Sequence, residues 1–135
     1  MIVVDTQLPL QLTVDTDDSE LARLVFERDP IWTAPQLWRS EYRNAILGYV
    51  RRGHLTLDEA LACDLRAAVV LAGHKHAIDS AVVLRTALAS KLTAYDAEFV
   101  VVARALGVKL VTFDKQILAH CPDVAVHPAE FVRLA

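Results

Sequence analysis

The sequence predicts an α/β protein with a central parallel sheet of about five strands between layers of helices. The order of the local signals supports this class, and length and composition support a single domain. Short runs of β-branched and apolar residues alternate along the chain with segments of helical periodicity, an order typical of parallel sheets whose two faces are covered by helices. The chain has 135 residues, of which 54% are hydrophobic. That length and composition predict one domain over residues 1–135 with a substantial core.

Local signals place the first elements. Ile2–Val4 is a β-branched run and predicts a buried strand. A helix is predicted over Glu20–Arg28, with Asp18 or Ser19 as its N-cap. Ile31–Ala34 predicts the second strand.

The middle of the chain predicts two longer helices. A helix begins at Pro35, a residue that suits a first helical turn, and runs to about Arg52 before Gly53 ends it. Thr56 is the predicted cap of a second helix, from Leu57 to about Leu71, whose apolar residues suit either the core or a dimer surface. His74–Ile78 is a candidate third strand.

The last part of the chain contains the strongest helix signals. Ala81–Ser90 is predicted to be helical. Thr93 caps a helix over Ala94–Leu106, and Gly107 ends it. The remaining predicted elements are a strand, a short helix, a strand and a terminal helix, over Lys109–Phe113, Lys115–Ala119, Val124–Val126 and Ala129–Leu134.

Charge and composition exclude several classes of protein. The net charge of −3 argues against a protein that coats nucleic acid by bulk electrostatics, although it is compatible with a nuclease. No apolar run is long enough to span a bilayer, and the N-terminus lacks the basic start of a signal peptide, so we expect a cytoplasmic location. Cys63 and Cys121 form no metal-ligand spacing, and both a reduced pair and a disulfide are compatible with the sequence.

Four acids are predicted to meet at one edge of the sheet. Asp5 and Asp114 each follow a predicted strand, and Asp96 lies in the first turn of a helix. Helix starts and strand carboxyl ends share one edge in an α/β fold. Glu41 falls on the core-facing side of its helix, where a carboxylate must be paired, protonated or metal-bound.

Each acid also has a purely structural interpretation. Asp5 and Asp114 suit turns after strands. For Glu41 the structural alternative is pairing with an arginine or with a helix N-terminus. Asp96 completes a capping box with Thr93, a role that is compatible with metal binding because a carboxylate has two oxygens.

Together the four carboxylates predict a hard divalent cation, Mg²⁺ with Mn²⁺ as a substitute, bound as one ion or two. Such a site activates water for attack on a phosphodiester. Thr112 shares a strand face with Asp114 and is either a hydrogen-bonding support or simply a good strand former. Arg39, Arg43 and Lys115 are candidate substrate-phosphate contacts, with solvated surface cations as the alternative.

Three segments carry a resemblance to a known family: IVVDT, APQLWRSEYRNAI and LTAYDAEFVVVARALGVKLVTFDKQIL. With them the whole chain resembles the PIN-domain ribonucleases, most closely the VapC-type toxins of bacterial toxin–antitoxin pairs. The resemblance implies a PIN-like three-layer α/β/α fold and Mg²⁺-dependent cleavage of RNA by Asp5, Glu41, Asp96 and Asp114, with Thr112 in support. It further implies a homodimer and a cognate antitoxin whose basic side chain enters the acidic site.

Two other functions are considered. A catalytically silent PIN-like binding module is compatible with Gln7, which stands where the family often has Asn or Ser. A phospho-acceptor receiver-type signalling domain would use Asp79, at the end of the candidate third strand. That class expects paired acids after the first strand and a lysine after the last, and the chain has neither.

Overall fold

The computed structural model describes residues 1–72 and 75–134 of the chain. Four strands form one parallel sheet in the order β2-β1-β3-β4. They are β1 Ile2–Val4, β2 Trp32–Thr33, β3 Leu110–Val111 and β4 Ala125–Val126. The helices are α1 Gln7–Thr13, α2 Ser19–Arg28, α3 Leu37–Arg51, α4 Leu57–Val70, α5 Ser80–Ser90, α6 Ala94–Leu106, α7 Lys115–His120 and α8 Pro128–Phe131.

The central strands are the most deeply buried part of the molecule. Val3 and Val4 of β1 and Leu110 and Val111 of β3 are fully shielded from solvent. Helix α6 packs against both strands, and α1 packs against β1 and against α3 and α4. Helices therefore cover the parallel sheet, which confirms the predicted α/β class.

Two predictions about elements are corrected. The described part of the chain has four strands rather than about five. In the predicted strand His74–Ile78, His74 lies outside the described residues, and the rest has no regular secondary structure. Lys75 is exposed, and the His76 ring contacts the Thr33 hydroxyl, Nε2 to Oγ1, at 2.6 Å.

Helix α1, Gln7–Thr13, was not predicted from the sequence. Pro9 lies in the first turn, where a helix does not need its missing N–H, and Leu8 and Leu10 beside it are buried. The segment that follows β1 is therefore a helix that packs on the sheet.

Helix α6 has its predicted bounds because both ends carry strong signals. The Thr93 hydroxyl accepts the Asp96 N–H at 3.1 Å, and Gly107 ends the helix in the left-handed region, at φ 66°. Of the two hydrogen bonds of a capping box, only this one forms at α6, whereas Thr56 and Glu59 form both at α4. The Asp96 carboxylate is thus not used to close its own helix end.

The two cysteines are free and buried, which answers the question that the sequence left open. No helix in residues 1–72 and 75–134 combines the length and apolar composition needed to cross a bilayer.

Candidate active site

The four predicted acids line one cavity of about 280 Å³ at the carboxyl edge of the sheet, called the acid cavity below. Asp5 follows β1, Glu41 lies in α3, Asp96 in the first turn of α6, and Asp114 at the N-cap of α7. The rest of the lining is Thr6, Gln7, Phe99, Phe113 and Ile117. The fold therefore brings all four carboxylates together from four separate elements.

Adjacent parallel strands create the centre of the acid cavity. Val4 of β1 pairs with Val111 of β3, so the residues that follow them, Asp5 and Thr112, emerge side by side. The Asp5 N–H donates to the Val111 carbonyl at 3.2 Å and continues the ladder by one bond. The position of Asp5 is thus set by sheet register.

Asp5 is a buried carboxylate held by three donors. Its Oδ1 accepts the Gln7 N–H at 3.0 Å, and its Oδ2 accepts the Phe113 N–H at 3.3 Å and the Thr112 hydroxyl. Burial raises the pKa of Asp5 to about 6, against the lowering effect of these hydrogen bonds and with a smaller contribution from the Asp114 charge. Near neutral pH the Asp5 carboxylate therefore carries a negative charge that its buried surroundings solvate poorly.

Thr112 connects two of the acids. Its hydroxyl donates to Asp5, while its oxygen accepts the Asp114 N–H at 2.9 Å. The side chain is fully buried, so neither hydrogen bond is replaced by bulk water if it is lost. Thr112 thus links the two segments that carry Asp5 and Asp114.

Thr112→Val is expected to lower the free energy of unfolding by about 1–3 kcal/mol, because the isosteric side chain leaves buried polar groups unsatisfied. Loss of the hydroxyl also removes an effect that lowers the pKa of Asp5, so the acid limb of any pH–rate profile should move to higher pH. Thermal melting and a pH profile of RNA cleavage measure the two effects. Thr112→Ser keeps the hydroxyl and should retain the wild-type profile; an unchanged profile in Thr112→Val would contradict the positioning role.

Glu41 is half-buried and is held from the segment after β1. The Thr6 hydroxyl donates to Glu41 Oε1 at 2.7 Å. Burial raises the pKa of Glu41, the Thr6 hydrogen bond lowers it, and the charges of Asp96 and Glu98 raise it. Thr6 was missed from the sequence, where its only signal is a hydroxyl directly after the first strand and its acid.

Asp96 and Asp114 complete the acid cavity from two helix starts. Burial raises the pKa of Asp96, the charge of Asp114 raises it further, and Thr93 lowers it. Asp114 Oδ1 accepts the Ile117 N–H at 2.9 Å and so caps α7. Both acids therefore combine a helix-start position with a side chain at the cavity.

The predicted substrate contacts do not line the acid cavity. Arg39 and Arg43 line a separate pocket beside α3, and Arg39 is paired with Asp64, Nη2 to Oδ2, at 2.9 Å. Lys115 is exposed in the first turn of α7. Asp79, the residue required by the receiver-domain hypothesis, is the exposed N-cap of α5 and follows no strand.

The donor set fits a hydrated divalent cation. Within the described residues, no three His, Cys, Asp or Glu side chains are close enough together to enclose a bare ion. Four carboxylates nevertheless line the acid cavity, and burial raises the pKa of three of them. Magnesium keeps several waters and takes few protein ligands directly, so an open, all-oxygen arrangement suits it.

Several solved structures resemble the fold, including the following two. The protein PAE2754 from Pyrobaculum aerophilum has a TM-score of 0.76 at 22% identity, over 97% of this chain and 92% of that one. VapC20 of Mycobacterium tuberculosis, described as a toxin that cleaves the sarcin-ricin loop, has a TM-score of 0.63 at 17% identity, over 88% of this chain and 94% of that one. At these identities the likeness concerns the fold. No curated protein sequence matches the chain significantly.

The sequence matches the PIN domain over residues 2–121, a range that contains the four acids and Thr112. PIN domains are generally nucleases, and they generally use divalent metal ions. The parallel sheet, the acids at its carboxyl edge and a match over most of the chain agree. The chain belongs to the PIN-domain family.

Proposed function

We propose that the chain is a divalent-metal-dependent endoribonuclease that acts in the cytoplasm as the toxin of a toxin–antitoxin pair. The observation that carries the proposal is the convergence of four carboxylates from four elements on one cavity. The raised pKa values of Asp5, Glu41 and Asp96 indicate carboxylates that a cation would stabilise, and the all-oxygen chemistry of the site favours Mg²⁺, with Mn²⁺ as a substitute. The toxin-like VapC20 fold supports RNA as the substrate.

Asp5, Glu41, Asp96 and Asp114 would hold the metal ion, which when bound supplies an activated water and stabilises charge on the phosphate. The chain's own contribution is to position these groups. Backbone N–H groups and the Thr112 hydroxyl hold Asp5, and Thr6 holds Glu41. Carboxylates fixed in this way orient water for in-line attack without large side-chain rearrangement.

Incubation of the purified protein with structured RNA, in Mg²⁺ or in excess chelator, tests the proposal. Internal cleavage that requires the divalent ion and that stops on addition of chelator is expected. Absence of cleavage in both conditions, with RNA binding retained, would instead support a silent PIN-like binding module.

Partners form the second part of the proposal. Helix α4 presents an apolar stripe to solvent, because the side chains of Leu57, Leu61, Leu65 and Val69 are 57% to 70% exposed. Contiguous exposed apolar side chains commonly mark a protein interface. We propose that this stripe forms a homodimer surface and that a basic segment of an antitoxin enters the acid cavity. Light scattering compares the mass of the Leu61→Glu variant with that of the wild-type protein. An unchanged mass would mean that the dimer surface lies elsewhere.

A further inference from the structure

A second pocket, called the cationic pocket below, lies beside the first two turns of α3. Its volume is about 790 Å³, and Arg39, Arg43 and Lys75 contribute three positive charges to its wall. Gln36 and Ser40 add polar groups, and no carboxylate is among the described residues that line it. The chain has a net charge of −3, so this pocket concentrates positive charge against the overall balance.

Two of the three cations have no counter-ion among the residues that the structure describes. Arg43 and Lys75 are exposed, and neither forms an ion pair with a described residue. Arg39, in contrast, is held in place by two contacts. It donates a hydrogen bond to Asp64, and its guanidinium lies 5.5 Å from the ring centre of Trp38. One oriented guanidinium beside two uncompensated charges is suited to an anion that brings several oxygens.

The cationic pocket and the acid cavity are neighbours along α3. Ser40 lines the first, and Glu41, the next residue, lines the second. Leu37, which also lines the cationic pocket, precedes Glu41 by about one helical turn, a rise of roughly 6 Å. Arg39 and Arg43, two residues before and after Glu41, lie about 160° around the helix axis from it, so an RNA strand that contacts both pockets must pass around the start of α3.

We propose that the cationic pocket binds a backbone phosphate of the RNA substrate, outside the linkage that is cleaved. The proposal rests on the ribonuclease function proposed above. An acid cavity repels a polyanion until a metal neutralises it, so the attraction that brings RNA to the site must come from elsewhere. The cationic pocket supplies that attraction without placing a cation among the carboxylates, where it would compete with the metal.

The test compares RNA binding by two double variants in excess chelator, where metal-dependent cleavage does not occur. Arg43→Gln with Lys75→Gln removes both uncompensated charges of the pocket. Arg51→Gln with Arg85→Gln removes two exposed charges that do not line it. Fluorescence anisotropy with a labelled single-stranded RNA should show at least a tenfold loss of affinity for the first variant and less than about threefold for the second. The slope of log affinity against log salt should become shallower by about 1 for the first.

Equal affinities for the two double variants, or no RNA binding by the wild type, would overturn the phosphate site whatever the cleavage assay shows. Conversely, loss of binding in the pocket variant, with no cleavage by the wild type in divalent metal, would retain the phosphate site and reject the ribonuclease. If cleavage occurs, the pocket variant should raise KM and leave kcat unchanged, as loss of uniform binding does. Each single substitution is measured too, with melting curves, so that a folding defect in the double variant leaves the test intact.

Discussion

Asp96→Asn is expected to reduce metal-dependent RNA cleavage by roughly 100- to 1,000-fold, because a metal-site carboxylate supports transition-state stabilisation worth several kcal/mol. The substitution replaces one carboxylate oxygen with an NH₂ group and keeps the shape of the side chain. The hydrogen bond that caps α6 uses the Asp96 backbone N–H and the Thr93 hydroxyl, so it survives. Activity should therefore be lost without loss of the helix.

The stability of this variant provides an internal check. Burial and the Asp114 charge raise the pKa of Asp96, which means that the folded protein disfavours the charged form of this carboxyl. A neutral amide removes that cost, so metal-free Asp96→Asn should melt at or above the wild-type temperature at pH 7.5.

The matched control is Asp17→Asn, the same chemical change at an exposed position before α2. It should cleave RNA at the wild-type rate. Asp114→Asn is the second test variant, because asparagine also caps helices and so preserves the start of α7. Wild-type cleavage by a normally folded Asp96→Asn would refute the assignment of the acid cavity as the active site.

Divalent metal is expected to stabilise the protein at pH 7.5 and much less at pH 5. At a metal concentration ten times the Kd, binding to the folded state adds about 1.4 kcal/mol, or roughly 3–5 °C in Tm for a chain of this size. The pKa of Asp5 is about 6, so at pH 5 most Asp5 side chains carry a proton that the metal must displace. The stabilisation there should fall to less than about half.

Without metal, the contribution of Asp5 to the free energy of unfolding should instead be larger at low pH than at neutral pH. The pKa of Asp5 is about 6 in the folded state, above the ordinary 3.8 of an aspartate, so the folded state binds this proton more tightly than the unfolded state does. The resulting stability is fully present below about pH 4 and is lost as the pH rises through about 6, with a contribution on the order of 3 kcal/mol.

Differential scanning fluorimetry across pH, with MgCl₂, MnCl₂ or KCl of equal ionic strength, measures both trends. The KCl series is the control for charge screening, which acts on any acidic protein. A metal-induced Tm shift of equal size at both pH values would argue against binding by titrating carboxylates. A shift that persists in the Asp96→Asn, Asp114→Asn double variant would place the metal outside the acid cavity.

Elements with strong signals at both ends were predicted well, and those that depend on distant contacts were not. Helix α6 has its predicted bounds because Thr93 and Gly107 act within one turn of its ends. The expected strand His74–Ile78 does not form over its described residues, 75–78, since strand formation requires a partner that composition does not reveal. Helix α1 was missed because its stability comes from packing against the sheet and against α3 and α4.

The same distinction applies to the candidate site. The four acids were predicted to converge because each lies at a strand end, a helix start or a core-facing helix position, and the carboxyl edge of a parallel sheet collects such positions. The contact of Thr6 with Glu41 joins residues 35 apart, and the ion pair of Arg39 with Asp64 joins residues 25 apart. No local pattern encodes either contact.

The sequence by itself therefore determined the α/β class, the family, and the identity of the four acids, because periodicity, caps and strand ends are local properties of the chain. Only the tertiary structure decided which groups hold those acids, how strongly burial raises the pKa of Asp5, and that the cations of α3 form a pocket separate from the carboxylates. Desolvation and charge–charge interactions depend on distances between segments remote in sequence, and folding alone sets those distances.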